Sequence, residues 1–264
     1  MPIISHSRDM SLAPTITQLL PESGGTVKAA LGRLASSGFS AVQLDATLSG
    51  IRPRELDRRA RKDLLATLSR CDLRLGGIDL FIPRNHFVDG PHQDRAMQAT
   101  AAAVEMAADL GRVPLSMALP VGQIEETIKT SLVQSADGCG VRLAVHAEDQ
   151  LDDLLAWVEQ VDQPCLGAAI DPAAILATSV DPVQQVHRFA SRLVTCRLCD
   201  AGAATQGMRC KVGSGDLDLS GYRIAVDLAV ARTGPVILDL RGLADPLAAA
   251  VATLEAWDDA AMVM

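Results

Sequence analysis

The chain has 264 residues, 48% of them apolar, and a formal net charge of −8. That length suits one α/β barrel, for which about 250 residues is typical, and the acidic balance argues against a nucleic-acid or anionic-membrane partner. Only Phe (4), Trp (2) and Tyr (1) supply aromatic rings, so the core must be aliphatic.

Short apolar runs alternate with longer amphipathic ones from one end to the other. In chain order the pattern predicts strand 9–13, helix 26–37, strand 41–45, helix 54–70, strand 75–82, helix 93–110, strand 113–119 and helix 124–136. It continues with strand 141–146, helix 151–161, strand 166–171, helix 182–191, strand 193–200, helix 222–231, strand 236–240 and helix 246–262. Ser37-Gly38, Leu110-Gly111 and Asp137-Gly138 punctuate helix ends. Strict alternation implies parallel strands with right-handed crossovers. Eight such units close into a single (β/α)8 TIM barrel, expected to form one domain over residues 1–264. An open nucleotide-binding sheet lacks its Gly-x-Gly-x-x-Gly fingerprint here.

A basic cluster, Arg52, Arg54, Arg58, Arg59, Arg61 and Lys62, is interleaved with Glu55, Asp57 and Asp63 and reads as a solvated helix face. No apolar run reaches the ~18 residues that span a bilayer, and the N-terminal segment lacks a signal-peptide pattern. Six cysteines without dense spacing read as reduced thiols, so a cytoplasmic protein is expected.

Four apolar runs end at ionisable residues: His146, Asp171, Arg197 and Asp239. Side chains alternate along a strand, so Ala144, His146 and Glu148 share a face, as do Gly167, Ala169 and Asp171, then Thr195, Arg197 and Cys199, and finally Ile237, Asp239 and Arg241. The polar and small sets are expected to face the barrel axis, with Asp45 and Asp79 at the rim.

Segments Gly38-Phe39-Ser40-Ala41-Val42-Gln43-Leu44-Asp45, 75–80, 143–148, 167–172, 197–200, 212–218 and 236–241 together resemble the xylose isomerase-like TIM barrel superfamily. It comprises sugar phosphate isomerases and epimerases and includes endonuclease IV. The resemblance implies a divalent metal (Mn, Mg or Zn) held by Glu on strand five, Asp on six, His on seven and Glu on eight. The two glutamates would pass a proton through an enediolate while the metal polarises sugar oxygens. It also implies pairing into a homodimer.

This chain departs from that set at three of its four places, and at one further position beside it. His146 and Asp239 stand where Glu is expected, Arg197 where His is expected, and Ala174 where a further His often follows the matching Asp171. His146, Asp171 and Asp239 still form a ligand set suited to zinc or manganese. Arg197 cannot ligate and would repel a dication, so a site without metal stands equally open. Arg197 would then either neutralise Asp171 and Asp239 in an internal salt-bridge network or clamp a ligand's carboxylate or phosphate. Catalytic candidates are His146, Asp239 and Glu148; substrate-binding candidates are Arg197, Arg241, Asp45 and His86. The expected ligand is a small sugar or sugar acid turned over by an isomerase or epimerase. The alternative is a non-catalytic barrel binding an anionic metabolite or partner through Arg197 and Arg241.

Two smaller signals remain. Lys211 and Gly213-Ser214-Gly215-Asp216 follow strand seven, where barrels often bind phosphate, or form a turn eased by glycines. Cys196 and Cys199 lie three apart on a strand, so the two thiols should face opposite sides; Cys199 shares the inward parity.

Overall fold

The computed structural model describes residues 10–229 and 234–260. Eight parallel strands run β1 (Leu12–Pro14), β2 (Ala41–Asp45), β3 (Arg74–Leu80), β4 (Leu115–Ala118), β5 (Leu143–His146), β6 (Leu166–Ile170), β7 (Leu193–Leu198) and, after a short hairpin β8 (Asp200–Ala201) and β9 (Arg209–Cys210), β10 (Val236–Leu238). Their order is β1-β10-β7-β6-β5-β4-β3-β2. The ends of that order meet through one bridge, Thr15 to Gln43, with Ile16 N–H donating to the Gln43 carbonyl at 3.1 Å. The sheet is therefore a (β/α)8 barrel whose last seam is narrow.

Helices α1 (Val27–Ser36), α2 (Arg58–Arg70), α3 (Gly90–Asp109), α4 (Glu126–Cys139), α5 (Leu151–Val161), α6 (Pro172–Leu176), α7 (Pro182–Arg188), α8 (Leu219–Leu228) and α9 (Pro246–Asp259) cover it. α2 starts four residues later than the periodicity predicts, because the Asp57 carboxylate accepts from Ala60 N and fixes the first turn there. Aspartate plays the same capping role for α6, α7, α8 and α9. α4 runs through the predicted stop at Asp137-Gly138 and ends at Gly140, whose φ of 63° only glycine adopts freely. α6 and the β8–β9 hairpin are absent from the periodic pattern, being too short to register. The predicted ends at Asp9, Ala231 and Met262 lie outside the described residues. Among the described residues no helix is long and apolar enough to cross a membrane.

The main core lies between barrel and helices and is built from residues such as Leu44, Ile78, Leu115, Leu143, Ile170 and Leu238. Small side chains fill the barrel interior in two separate groups, Ala13 with Ala41 and Ile237, and Ala144 with Ala169 and Val194. Ala144, Ala169 and Ile237 are the inward positions that parity predicts. Val194 is not: the β6–β7 register slips between Ala168 and Ala169, a bulge-like irregularity that lets both Val194 and Arg197 face the axis. Gly167 permits this approach, since a Cβ there would collide with the Arg192 carbonyl and the Val194 side chain.

Candidate functional site

Because all eight strands are parallel, their carboxyl ends share one rim. His146 closes β5, Asp171 and Asp239 directly follow β6 and β10, and Arg197 is the penultimate residue of β7. The four meet there. Arg197 is 2% exposed; its Nη2 lies 2.9 Å from Asp79 Oδ1, its Nη1 3.3 Å from Asp239 Oδ2, and its Nε donates to His146 Nε2 at 3.3 Å. Burial opposes its charge, but the carboxylates of Asp79, Asp239 and Asp171 outweigh burial and raise its pKa further. With protein groups meeting all three of its nitrogens, Arg197 acts as an internal counter-ion, and it also borders the cavity at the mouth.

Asp239 collects three guanidinia. Arg241 donates to Oδ1 through its backbone N at 3.0 Å and through Nε at 2.9 Å, and to Oδ2 through Nη2 at 2.5 Å. Arg209 Nη1 lies 3.1 Å from the same Oδ2. Burial would raise the Asp239 pKa, yet Arg197, the Arg241 hydrogen bonds and Arg209 together hold it well below the usual carboxylate range. Asp171 resembles it. Burial works against its charge, Arg209 restores it, and the net shift is downward. Its Oδ2 receives Arg209 and, at 3.4 Å, Arg241; its Oδ1 accepts from Ala174 N at 3.2 Å and from the Cys199 thiol at 3.2 Å.

His146 is oriented from both sides. Nε2 meets Ser116 Oγ at 2.9 Å and Nδ1 meets Glu148 Oε1 at 2.8 Å. Arg197 Nε–H can only donate, so Nε2 must accept, and the ring proton sits on Nδ1, donated to Glu148.

A cavity of about 150 Å³ opens over this network, lined by Phe81, His146, Glu148, Asp171, Arg197, Arg209 and Arg241 among others. A second, of about 210 Å³, adjoins it across Asp79, Phe81 and Arg241 and reaches Thr17, Gln43 and Asp45. Asp45 accepts from Thr17 Oγ1 at 3.0 Å and Thr47 N at 2.7 Å, while Gln43 Oε1 is buried without a hydrogen-bond partner. His86, a substrate-binding candidate from the sequence, lines neither cavity; its ring stacks on His92 at 4.6 Å, and Phe81 lines both. Arg209 was missed by sequence reasoning because it arrives on the β8–β9 hairpin, whose two-residue strands leave no periodic signal.

The glycine loop resolves clearly. Gly213 N, Gly215 N and Leu217 N donate to the Asp200 carboxylate at 2.9, 3.0 and 3.0 Å, and Ala201 N joins them at 2.9 Å. The chain's own carboxylate occupies the position where a phosphate would be cradled, so this loop is a structural turn.

Asp171, Cys199 and Asp239 bring possible ligand atoms within 4.8 Å of one another, a spacing that suits a metal ion. The grouping takes in Cys199, and His146 belongs instead to the Ser116–Glu148–Arg197 set. The donors do not fit a dication as arranged. Both oxygens of each carboxylate already accept protein donors, and guanidinia cover both Oδ2 atoms. Burial, followed by the Asp171 charge, pushes the Cys199 thiol well up, so it remains a protonated donor. Cys199 is accordingly expected to resist iodoacetamide in the native protein at neutral pH and to react only after unfolding. Mass spectrometry of native and denatured samples checks this, and native labelling would contradict it.

No curated protein matches the chain in sequence. Among solved structures, a xylose isomerase domain protein from Planctomyces limnophilus superposes with a TM-score of 0.77 at 16% identity, covering 96% of this chain and 97% of that one. D-psicose 3-epimerase from Clostridium cellulolyticum H10 gives 0.73 at 14% identity, with 95% and 99% covered. The 3-keto-D-glucoside 4-epimerase from E. coli gives 0.72 at 15%, with 94% and 98% covered. At such identities these likenesses establish the fold alone. A family model described as the xylose isomerase-like TIM barrel matches residues 31–258, nearly the whole chain, and to that family, with its sugar isomerases and epimerases, this chain belongs.

Proposed function

We propose that the chain moves a proton between neighbouring carbons of a small sugar or sugar acid, as an isomerase or epimerase, at the carboxyl-end mouth of its barrel. One observation carries this reading: the Glu148–His146 pair and the guanidinia of Arg209 and Arg241 line the same small cavity. Proton abstraction beside a carbonyl needs a base at the carbon and preorganised donors where negative charge grows on oxygen. Glu148 serves as the base, its side chain 14% exposed and one oxygen held by His146. His146 positions Glu148, since its own Nε2 is engaged by Ser116 and Arg197. Arg241 and Arg209, with side chains 33% and 22% exposed, face the substrate oxygens, and Arg209 Nη1 lacks a well-aligned acceptor. Asp239, bound by three guanidinia and with its proton affinity depressed, holds those donors in place rather than taking a proton.

The adjoining cavity receives the rest of the substrate, where Thr17, Asp45 and the Gln43 amide suit sugar hydroxyls. Among the groups lining the cavity, Asp79, Glu148 and Asp171 match Arg197, Arg209 and Arg241 in number. That balance favours a neutral sugar over the anionic metabolite of the alternative reading. The epimerases among the superposed structures share the barrel that presents such a mouth.

The test is deuterium incorporation from D2O into a panel of ketoses, aldoses and sugar acids, followed by NMR. Exchange is expected at the carbon beside the carbonyl, falling about 10²- to 10⁴-fold in Glu148→Gln. His146→Gln should shift the pH profile of the residual exchange. Absence of exchange across the panel, or exchange unchanged in Glu148→Gln, would overturn the proposal.

A further inference from the structure

We infer that the Asp171–Cys199–Asp239 cluster is a cation site filled by the chain's own guanidinia, Arg209 and Arg241, and that it accepts a thiolate-ligated transition-metal dication only when those two are removed. The first ground is occupancy. Arg209 and Arg241 each bridge the two carboxylates, contacting Oδ2 of both Asp171 and Asp239. These are the oxygens a metal would need.

The second ground is charge. Arg197, Arg209 and Arg241 face Asp79, Asp171 and Asp239, three against three, through the observed ion pairs. A dication added to that balanced set brings two uncompensated charges into a buried site, next to guanidinia that cannot lose their protons. Removing Arg209 and Arg241 takes away two positive charges, which a dication restores. Arg197 stays paired with Asp79 at 2.9 Å and is not part of the plug.

The third ground is the thiol. Cys199 Sγ lies 3.2 Å from Asp171 Oδ1 and is fully walled in, with Ala173 and Ala201 beside it. It donates while the guanidinia are present. On metal binding the S–H proton leaves to solvent and the sulfur becomes a thiolate ligand, giving one sulfur and two carboxylates to an ion such as Zn²⁺ or Co²⁺. The hairpin that carries Arg209 is tied down through Asp200 and the loop amides, so the plug is held in place by the fold.

Co²⁺ titration of the whole chain provides the test, read by the near-ultraviolet thiolate-to-cobalt band and by elemental analysis after desalting. Wild type should show no such band and retain no stoichiometric Zn²⁺, Mn²⁺ or Co²⁺. The Arg209→Ser/Arg241→Ser variant should bind one Co²⁺ with the band, and adding Cys199→Ser to it should abolish the band. A wild-type chain that retains one dication, and loses it in Asp171→Asn, overturns the inference whatever the variants do. A folded double variant, checked by circular dichroism, that binds no more Co²⁺ than wild type overturns it as well. None of these readouts depends on turnover, so failure here is distinct from failure of the isomerase reading.

Discussion

Asp239→Ala is expected to lose about 3–5 kcal/mol of folding stability, the cost of leaving a buried ion-pair network without one partner. The loss has a specific origin. Asp239 has no side-chain exposure, and its oxygens receive Arg197, Arg209 and Arg241. Truncation leaves the 2%-exposed Arg197 with Asp79 as its remaining counter-ion. Asp239→Asn keeps acceptor geometry at one oxygen and should lose less. Thermal melts of the three proteins give the order wild type, Asn, Ala; an alanine variant within 1 kcal/mol of wild type, a difference near the ±0.5 of ordinary surface changes, would contradict the role assigned to this carboxylate. The same network sets a pH dependence. Asp239 and Asp171 both have pKa values lowered in the folded chain, so their contribution is fully present above the unfolded value of about 3.9 and is lost as pH falls through the folded values. Stability should therefore fall in acid below about pH 4, and Asp239→Ala should flatten that part of the curve.

Asp200→Ala should have an effect of similar size, on the order of 3 kcal/mol, because several backbone donors lose their acceptor at once. Asp200 is fully buried and accepts from Ala201, Gly213, Gly215 and Leu217. Water reaches some of those amides once the loop loosens, which keeps the cost below the sum of separate orphaned groups. Loosening also frees the hairpin bearing Arg209, so limited proteolysis within 202–216 should accelerate alongside the fall in the urea midpoint. Gly215 belongs to the same device: a Cβ there would collide with Asp200 and the Ala201 carbonyl, which is why the loop needs glycine at that place. Unchanged proteolysis and midpoint in Asp200→Ala would remove the carboxylate from this role.

The barrel was legible in the sequence because its signal is periodic. Strand 41–45 and helix 151–161 match their observed bounds, and parity alone directs His146, Arg197 and Asp239 toward one axis. What escaped is non-local or too short to have a period. The register slip at Ala168/Ala169 turns Val194 inward against simple alternation. Arg209 reaches the site on a two-residue strand. The glycine loop looked ready for an outside anion, and only the fold reveals that Asp200, thirteen residues before Gly213, supplies one from within. The departures from the family's metal set were visible residue by residue, but Cys199 replacing His146 in the ligand-like group depends on side-chain geometry.

The narrow seam between β1 and β2 has a consequence for the order in which this molecule gives way. Elsewhere neighbouring strands share registers of two to five residue pairs, whereas here one bridge, Thr15 to Gln43, joins the two ends of the sheet. A curved sheet so closed keeps edge character on both sides of that join, and segments with few backbone bonds open at lower free energy than the whole. The join borders the larger cavity, beside the unpartnered Gln43 Oε1. Subglobal opening would therefore begin at the wall of the sugar-sized space, where Asp239 and Arg241 after β10 flank the join on one side and Asp79 on β3 flanks it on the other, so that breathing and charge balance meet on one side of the ring.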